Sequence, residues 1–209
     1  MAVPAKGKYL VRFSWLVLLS ALAYFLVKNV PRYFVFTPKS YGNYFWPKAG
    51  WLFPHVVCGL LAVVIGPLQF WPRMRRDYLP FHRVAGRIYV GVVLIGAIAA
   101  CGMAASVGRE DVVYALGLIG LAVAWVVTTA MAFVAIRRKN LLQHQQWMVR
   151  SYVVTFAFVT FRLTEDLMRA NNLLTPNDRG ALMAWACWAI PLLFAEVAIQ
   201  AEAVFKRRT

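Results

Sequence analysis

Acidic residues are scarce in this chain: 8 Asp and Glu stand against 23 Lys and Arg, a formal net charge of +15 over 209 residues. In a soluble protein such an excess would raise nucleic acid as a partner. Here the basic residues fall almost entirely between apolar runs, where cationic loops meet anionic lipid headgroups and set topology. Membrane lipid, and no nucleic acid, is therefore the expected partner. Cysteine is sparse too. Cys58, Cys101 and Cys187 each sit inside an apolar run without CxxC spacing. That pattern favours small buried helix residues over disulfides or metal ligands. Period-2 alternation is missing, which excludes strands as spanning elements and leaves helices. GxSxG, Walker, HExxH and dinucleotide motifs are also missing, as is any soluble domain to deliver ATP or NADPH. Primary pumps and most stand-alone hydrolases are thereby excluded.

What is present is hydrophobicity: 61% of residues are apolar, with a mean hydropathy of +0.60. Apolar segments near the roughly 20 residues of a bilayer span run over about 12–28, 51–71, 87–106, 113–136, 150–169 and 181–205. The expected fold is all-α: a single integral membrane domain over 1–209 with six transmembrane helices and two similar central hairpins. If all six cross, four basic regions share one side: Lys6, Lys8 and Arg12; Arg73, Arg75, Arg76, Arg83 and Arg87; Arg137, Arg138, Lys139 and Arg150; and Lys206, Arg207 and Arg208. The opposite loops, with Arg109, Glu110, Asp111, Arg169, Asp178 and Arg179, are poorer in positive charge. The first loop, with Lys28, Arg32, Lys39 and Lys48, is the exception. The balance predicts an inner-membrane protein with both termini cytoplasmic. The basic start and Ala21-Leu22-Ala23 also suit a signal peptide, but the apolar run continues through Val27, so a retained first helix is expected. The aromatic segment 29–50 is expected on the outer face, as an interfacial anchor or a lid over the helix ends. Small residues at helical spacing (Gly59, Ala62 and Gly66; Gly117, Gly120 and Ala124) predict close helix contacts.

The joints RMRRDYLPFHRVAGRIYV and RRKNLLQHQQWMVRSYVV resemble each other: basic residues, a His, an Arg, then a Tyr. Related hairpins would bring His82 and His144 to equivalent depths on the cytoplasmic side. Two facing imidazoles can hold a haem iron or a metal. Gly86, one turn after His82, leaves room for a flat ring, and Arg83, Arg87 and Arg150 can pair with propionates. Haem b is one cofactor that such a pair can take, and the sequence leaves the cofactor open; without CxxCH, covalent attachment is not expected. The competing reading makes both histidines interfacial residues that contact phosphate or cap a loop.

A second constellation lies on the fifth apolar segment. Ser151, Thr155, Arg162 and Asp166 share one face, with Glu165 beside them. Charge in hydrocarbon is costly, so this stripe should face the bundle, as a polar pocket or proton path, or as a structural ion pair near the outer boundary. His55, after Pro54, should lie in the same outer half and can share a cavity with Arg162. It cannot share a metal with His82 or His144, because residues 55 to 71 rise roughly 24 Å. Glu196 on the last helix needs a partner, such as Arg or Tyr from a neighbour, or water.

These residues carry a resemblance. PHVVCGLLAVVIGPLQFWPRMR, FHRVAGRIYV and AWVVTTAMAFVAIRRKNLLQHQQWMVRSYVVTFAFVTFRL resemble a bacterial family of predicted multi-pass membrane proteins classed only as a domain of unknown function. The likeness spans about residues 51–165. It implies that His55, the HRxxGRxY turn (His82, Arg83, Gly86, Arg87, Tyr89), the HxxWMxRSY segment (His144, Trp147, Met148, Arg150, Ser151, Tyr152) and Arg162 are signature positions, and it implies no activity. A weaker likeness is to transmembrane b-type cytochromes and ferric reductases, which place a His before a Gly at helix ends. The chain departs from their di-haem pattern, since Gly117 stands where a second outer histidine would be, so at most one haem, on the cytoplasmic side, is implied. The function expected is a haem- or metal-binding redox or assembly factor. The rivals are a small-solute or lipid carrier along His55, Thr155, Arg162, Asp166 and Glu196, and a structural subunit of a membrane complex or homo-oligomer.

Overall fold

The computed structural model describes residues 5–108 and 111–206. Arg109, Glu110, Arg207 and Arg208, and the side chains of Lys6, Lys8, Arg12 and Lys206, lie outside the described residues. Among the described residues the chain is helical without strands. α1 (Ala5–Asn29) leads through a 3-10 turn to α2 (Pro38–Phe45), α3 (Ala49–Phe70) and the short basic α4 (Pro72–Asp77). Then come α5 (Leu79–Val107), α6 (Val112–Arg137), α7 (Leu141–Thr155), α8 (Ala157–Ala170) and α9 (Pro176–Lys206).

Local chemistry sets several of these boundaries. Thr37 caps α2, its side chain accepting from the Ser40 N–H ahead of Pro38. Asp111 caps α6 by accepting from Tyr114 N–H, and Asn140 caps α7 by accepting from Gln143 N–H. Gly42, at φ 72°, makes the sharp bend in the 38–45 segment that a side chain would strain. The expected span 150–169 is divided. α7 starts in the basic joint, and the helix breaks at Phe156, where Thr155 turns its hydroxyl back onto the Ser151 carbonyl (2.8 Å).

Among the described residues four helical stretches are long and apolar enough to cross a membrane: Pro38–Phe70, Leu79–Val107, Val112–Arg137 and Pro176–Phe205. Phe13–Asn29 is a shorter apolar helix. Their outward faces carry exposed large apolar side chains, such as Val27, Ile98 and Phe194, as lipid contact requires. α3 packs on α5, α6 on α5 and α7, and α9 lies across α6, α7 and α8. The centre is closed by Ala62, Tyr89, Val93, Trp125, Val154 and Ala157.

Small residues fit this packing unevenly. A Cβ on Gly66 would enter the Tyr152 ring, and one on Gly117 would lie 2.7 Å from Ala184 Cβ. Gly59, by contrast, has nothing within 4 Å of that position and lines a cavity. The 29–50 segment folds into an aromatic cap. Tyr33, Phe36, Tyr41 and Trp46 meet mostly edge to face, and Tyr41 Oη donates to Tyr33 O (2.7 Å).

Two ends of the bundle follow from these contacts. α4 and residues 139–145 border one cavity, which defines a basic end; the aromatic cap and the Lys28–Asp166 ion pair mark the far end.

Candidate functional site

At the basic end, α4 and the first turns of α5 and α7 surround an open cavity of about 980 Å³, bordered by Gln69, Arg75, Arg76, His82, Arg83, Lys139 and His144. A neighbouring cavity of about 420 Å³ takes in Gly86, Arg87, Thr129 and Arg137 and is bordered by both histidines again. Among the described residues no carboxylate borders either space. The walls between the cations are apolar, from Phe70, Leu79, Ile136 and Met148. The chemistry suits a partly apolar anion.

The two histidines are prepared differently. His144 Nδ1 donates to Ala132 O (2.9 Å). A carbonyl can only accept, so the neutral ring keeps its Nε2 lone pair uncommitted, the arrangement common among ligating histidines. His82 Nδ1 is buried without a hydrogen-bond partner, and so is Nε2 of Gln69 nearby. An unsatisfied buried polar atom costs about 1–3 kcal/mol, so a ligand or water that met both would be stabilised. A Cβ on Gly86 would lie 3.4 Å from Gln69 Oε1, so glycine keeps this wall thin.

Above the basic pocket the bundle is closely packed but not apolar. Thr129 Oγ1 lies 2.7 Å from Ser151 Oγ, and Ser151 Oγ lies 2.9 Å from Tyr89 Oη. Tyr89 Oη lies 2.6 Å from Thr155 Oγ1, which also accepts from Trp125 Nε1 (2.8 Å). All five residues are almost fully buried.

In the far half, His55 is buried and its Nδ1 donates to Gly96 O (2.9 Å). His55 and Arg162 border two small cavities together, of about 90 and 100 Å³; Thr155 borders the first and Trp125 the second. Arg162 pairs with Glu165 (3.0 Å), and Asp166 pairs with Lys28 (2.8 Å) and Arg169 (3.1 Å), which ties α1 to α8.

The structure thus sorts the sequence candidates into separate places. His82, Arg83, Gly86, Arg87 and His144 border one cavity, and Arg150 does not join them. Its guanidinium is buried on another face of α7, with Nη2 2.6 Å from Glu196 Oε2 and Cζ 4.6 Å from the Trp147 ring centroid. Six residues separate His144 from Arg150, about 240° of helical rotation at 3.6 residues per turn, so one ligand cannot meet both side chains from the same side. Glu196 accordingly belongs with Arg150 and Gln200 (2.8 Å), away from the stripe of His55, Thr155, Arg162 and Asp166. Ser151 and Thr155 belong to the buried hydroxyl cluster; Glu165 and Asp166 form far-end ion pairs. Gln69, Trp125 and Thr129 escaped the sequence reading. Each is a polar-capable residue inside or at the end of an apolar run, a signal that was available, but their partners come from other helices.

Among the described residues no three His, Cys, Asp or Glu side chains are grouped to hold a metal ion. A family model described as Predicted membrane protein (DUF2306) matches residues 52–199. No curated protein matches the chain, and no solved structure does.

Proposed function

Since the chain belongs to this family of predicted membrane proteins, we propose that it is a multi-pass membrane protein whose basic-end pocket holds haem b between His82 and His144. The observation that carries this reading is the pairing of two imidazoles on one cavity, each with an uncommitted ring nitrogen, with Arg83, Arg87 and Arg137 on the same lining and no carboxylate in it among the described residues. Bis-imidazole ligation needs two protein donors, which is what the pocket supplies. Arg83 and Arg87, with Arg75 at the rim, take the carboxylates of the ligand, while Arg76 is held by Asp77, and Gln69 Nε2 offers a further donor. Haem, when bound, supplies one-electron chemistry there. The protein's part is to fix the His144 tautomer through Ala132, to hold the anion and to exclude carboxylates that would repel it. A redox carrier or a haem-handling assembly factor would use such a site.

The topology belongs to the same proposal. α1, α3, α5, α6, the α7–α8 pair and α9 make six crossings of the inner membrane, and both termini face the cytoplasm. The support is charge placement: α4 and Lys139 gather at one end, and α9 runs toward it, from Ala184 near Gly117 to Glu196 beside Arg150. The small far-end cavities weigh against the rival carrier of solute or lipid.

Optical spectroscopy tests the reading. Protein purified from haem-replete cells should show a Soret band that His82→Ala and His144→Ala each abolish, while Arg150→Ala retains it. A colourless preparation sinks the proposal.

A further inference from the structure

The buried hydroxyls do more than satisfy one another. Ser and Thr on a helix can bond to their own helix's carbonyls, and Thr128 does so, donating to Ala124 O (2.7 Å). Thr129, one residue on, instead reaches across to Ser151. The result is an unbroken line, Thr129–Ser151–Tyr89–Thr155, with steps of 2.7, 2.9 and 2.6 Å. Its ends open on two different spaces: Thr129 borders the histidine cavity at the basic end, and Thr155 borders the far cavity of His55 and Arg162.

Donor counting gives the line a direction. The Thr155 hydroxyl donates to Ser151 O and receives the Trp125 N–H. Its oxygen therefore accepts the Tyr89 proton, Tyr89 accepts from Ser151, and Ser151 from Thr129. Each hydroxyl has one proton, so Thr129, Ser151 and Tyr89 point toward the far end, while Thr155 points back to the Ser151 carbonyl.

We propose that this line is a proton path joining the basic-end pocket to the far cavity. A proton arriving on Thr129 Oγ1 forms a new O–H bond there as the old one passes to Ser151. Ser151 passes its own to Tyr89, and Tyr89 passes its own to Thr155. Thr155 turns from the Ser151 carbonyl and releases its former proton into the far cavity, where the free Nε2 of His55 accepts it. The ring's Nδ1–H stays on Gly96 O, so Nε2 is the basic nitrogen. One proton enters and one leaves, with no change of oxidation state; rotation of the four hydroxyls resets the line. Arg162, the cation on that cavity, is offset by Glu165 at 3.0 Å. A path made of hydroxyls passes protons and excludes larger ions, in keeping with the closed centre of the bundle.

The test is proton flux into liposomes holding the purified full-length protein, prepared without haem, with a pH dye inside and a valinomycin potassium potential as the driving force. Wild type should acidify the lumen faster than protein-free liposomes. Tyr89→Phe and Ser151→Ala should each lower the rate at least about tenfold, the scale on which removing one positioned proton carrier acts, and Thr128→Val should leave it unchanged. Should Tyr89→Phe not fold, Ser151→Ala, the smaller change, decides alone. Flux no greater than that of protein-free liposomes overturns the proposal, as does wild-type flux in folded Ser151→Ala.

Discussion

At the scale of single residues, glycines at similar helical spacing have different jobs. Gly66 lies against the Tyr152 ring, so a methyl there must displace a buried aromatic whose Oη donates to Val63 O (3.1 Å). Overpacking of this kind costs about 1–3 kcal/mol. Gly66→Ala should therefore lower the midpoint of thermal unfolding in detergent by several degrees, whereas Gly59→Ala, with open space beside it, should leave it within error. Equal losses in the two variants would refute this assignment. In the sequence both residues read as one packing stripe. Spacing shows which residues share a face; it does not show what stands opposite.

At the scale of elements, α7 serves three neighbours from three faces. His144 turns to the basic pocket, Ser151 and Thr155 to the hydroxyl line, and Arg150 to α9. The Arg150–Glu196 pair is the polar tie between α7 and α9, and interhelical polar contacts in membranes contribute about 0.6 to 2 kcal/mol. Glu196→Ala should be more destabilising than the double variant with Arg150→Ala, because the single change strands the buried Arg150 guanidinium, whereas Glu196 is more exposed and keeps Gln200. A thermal-unfolding cycle of the four proteins measures the coupling, and strict additivity would show that the pair contributes nothing. The HxxWMxRSY segment stood out in the sequence as polar within an apolar run, and its division among faces follows from 3.6 residues per turn. Placing Arg150 with the histidines followed the likeness of the two joints instead, and the helical rotation overrides that likeness.

At the scale of the molecule, charge and the aromatic cap separate the two ends of the bundle. The proposed topology puts the turn after α8 outside and α4 inside. In a variant with Cys58, Cys101 and Cys187 replaced, Asn172→Cys should react with a membrane-impermeant thiol reagent added to intact spheroplasts, and Asp77→Cys should react only after lysis. The reverse pattern would invert the topology. Both positions lie in polar surroundings, with Asn172 in a turn at φ 53° and Asp77 held by Arg76 (2.7 Å), so labelling reports the side of the membrane.

The sequence by itself determined that this is an all-helical membrane protein, because apolar runs of this length have no other way to satisfy their backbone in lipid. It also put His82, Arg83, Gly86, Arg87, His144 and Arg150 forward as one group, because residues beside the same basic joints must lie at similar depth. Only the tertiary structure decided that Arg150 belongs to Glu196, that His55 and Arg162 share two small cavities, and that Thr129, Ser151, Tyr89 and Thr155 form one line. Those outcomes depend on the rotation of each helix about its own axis and on which neighbour it meets. Hydropathy is nearly blind to both, since in a bilayer the lipid-facing and helix-facing sides of a helix can be equally apolar.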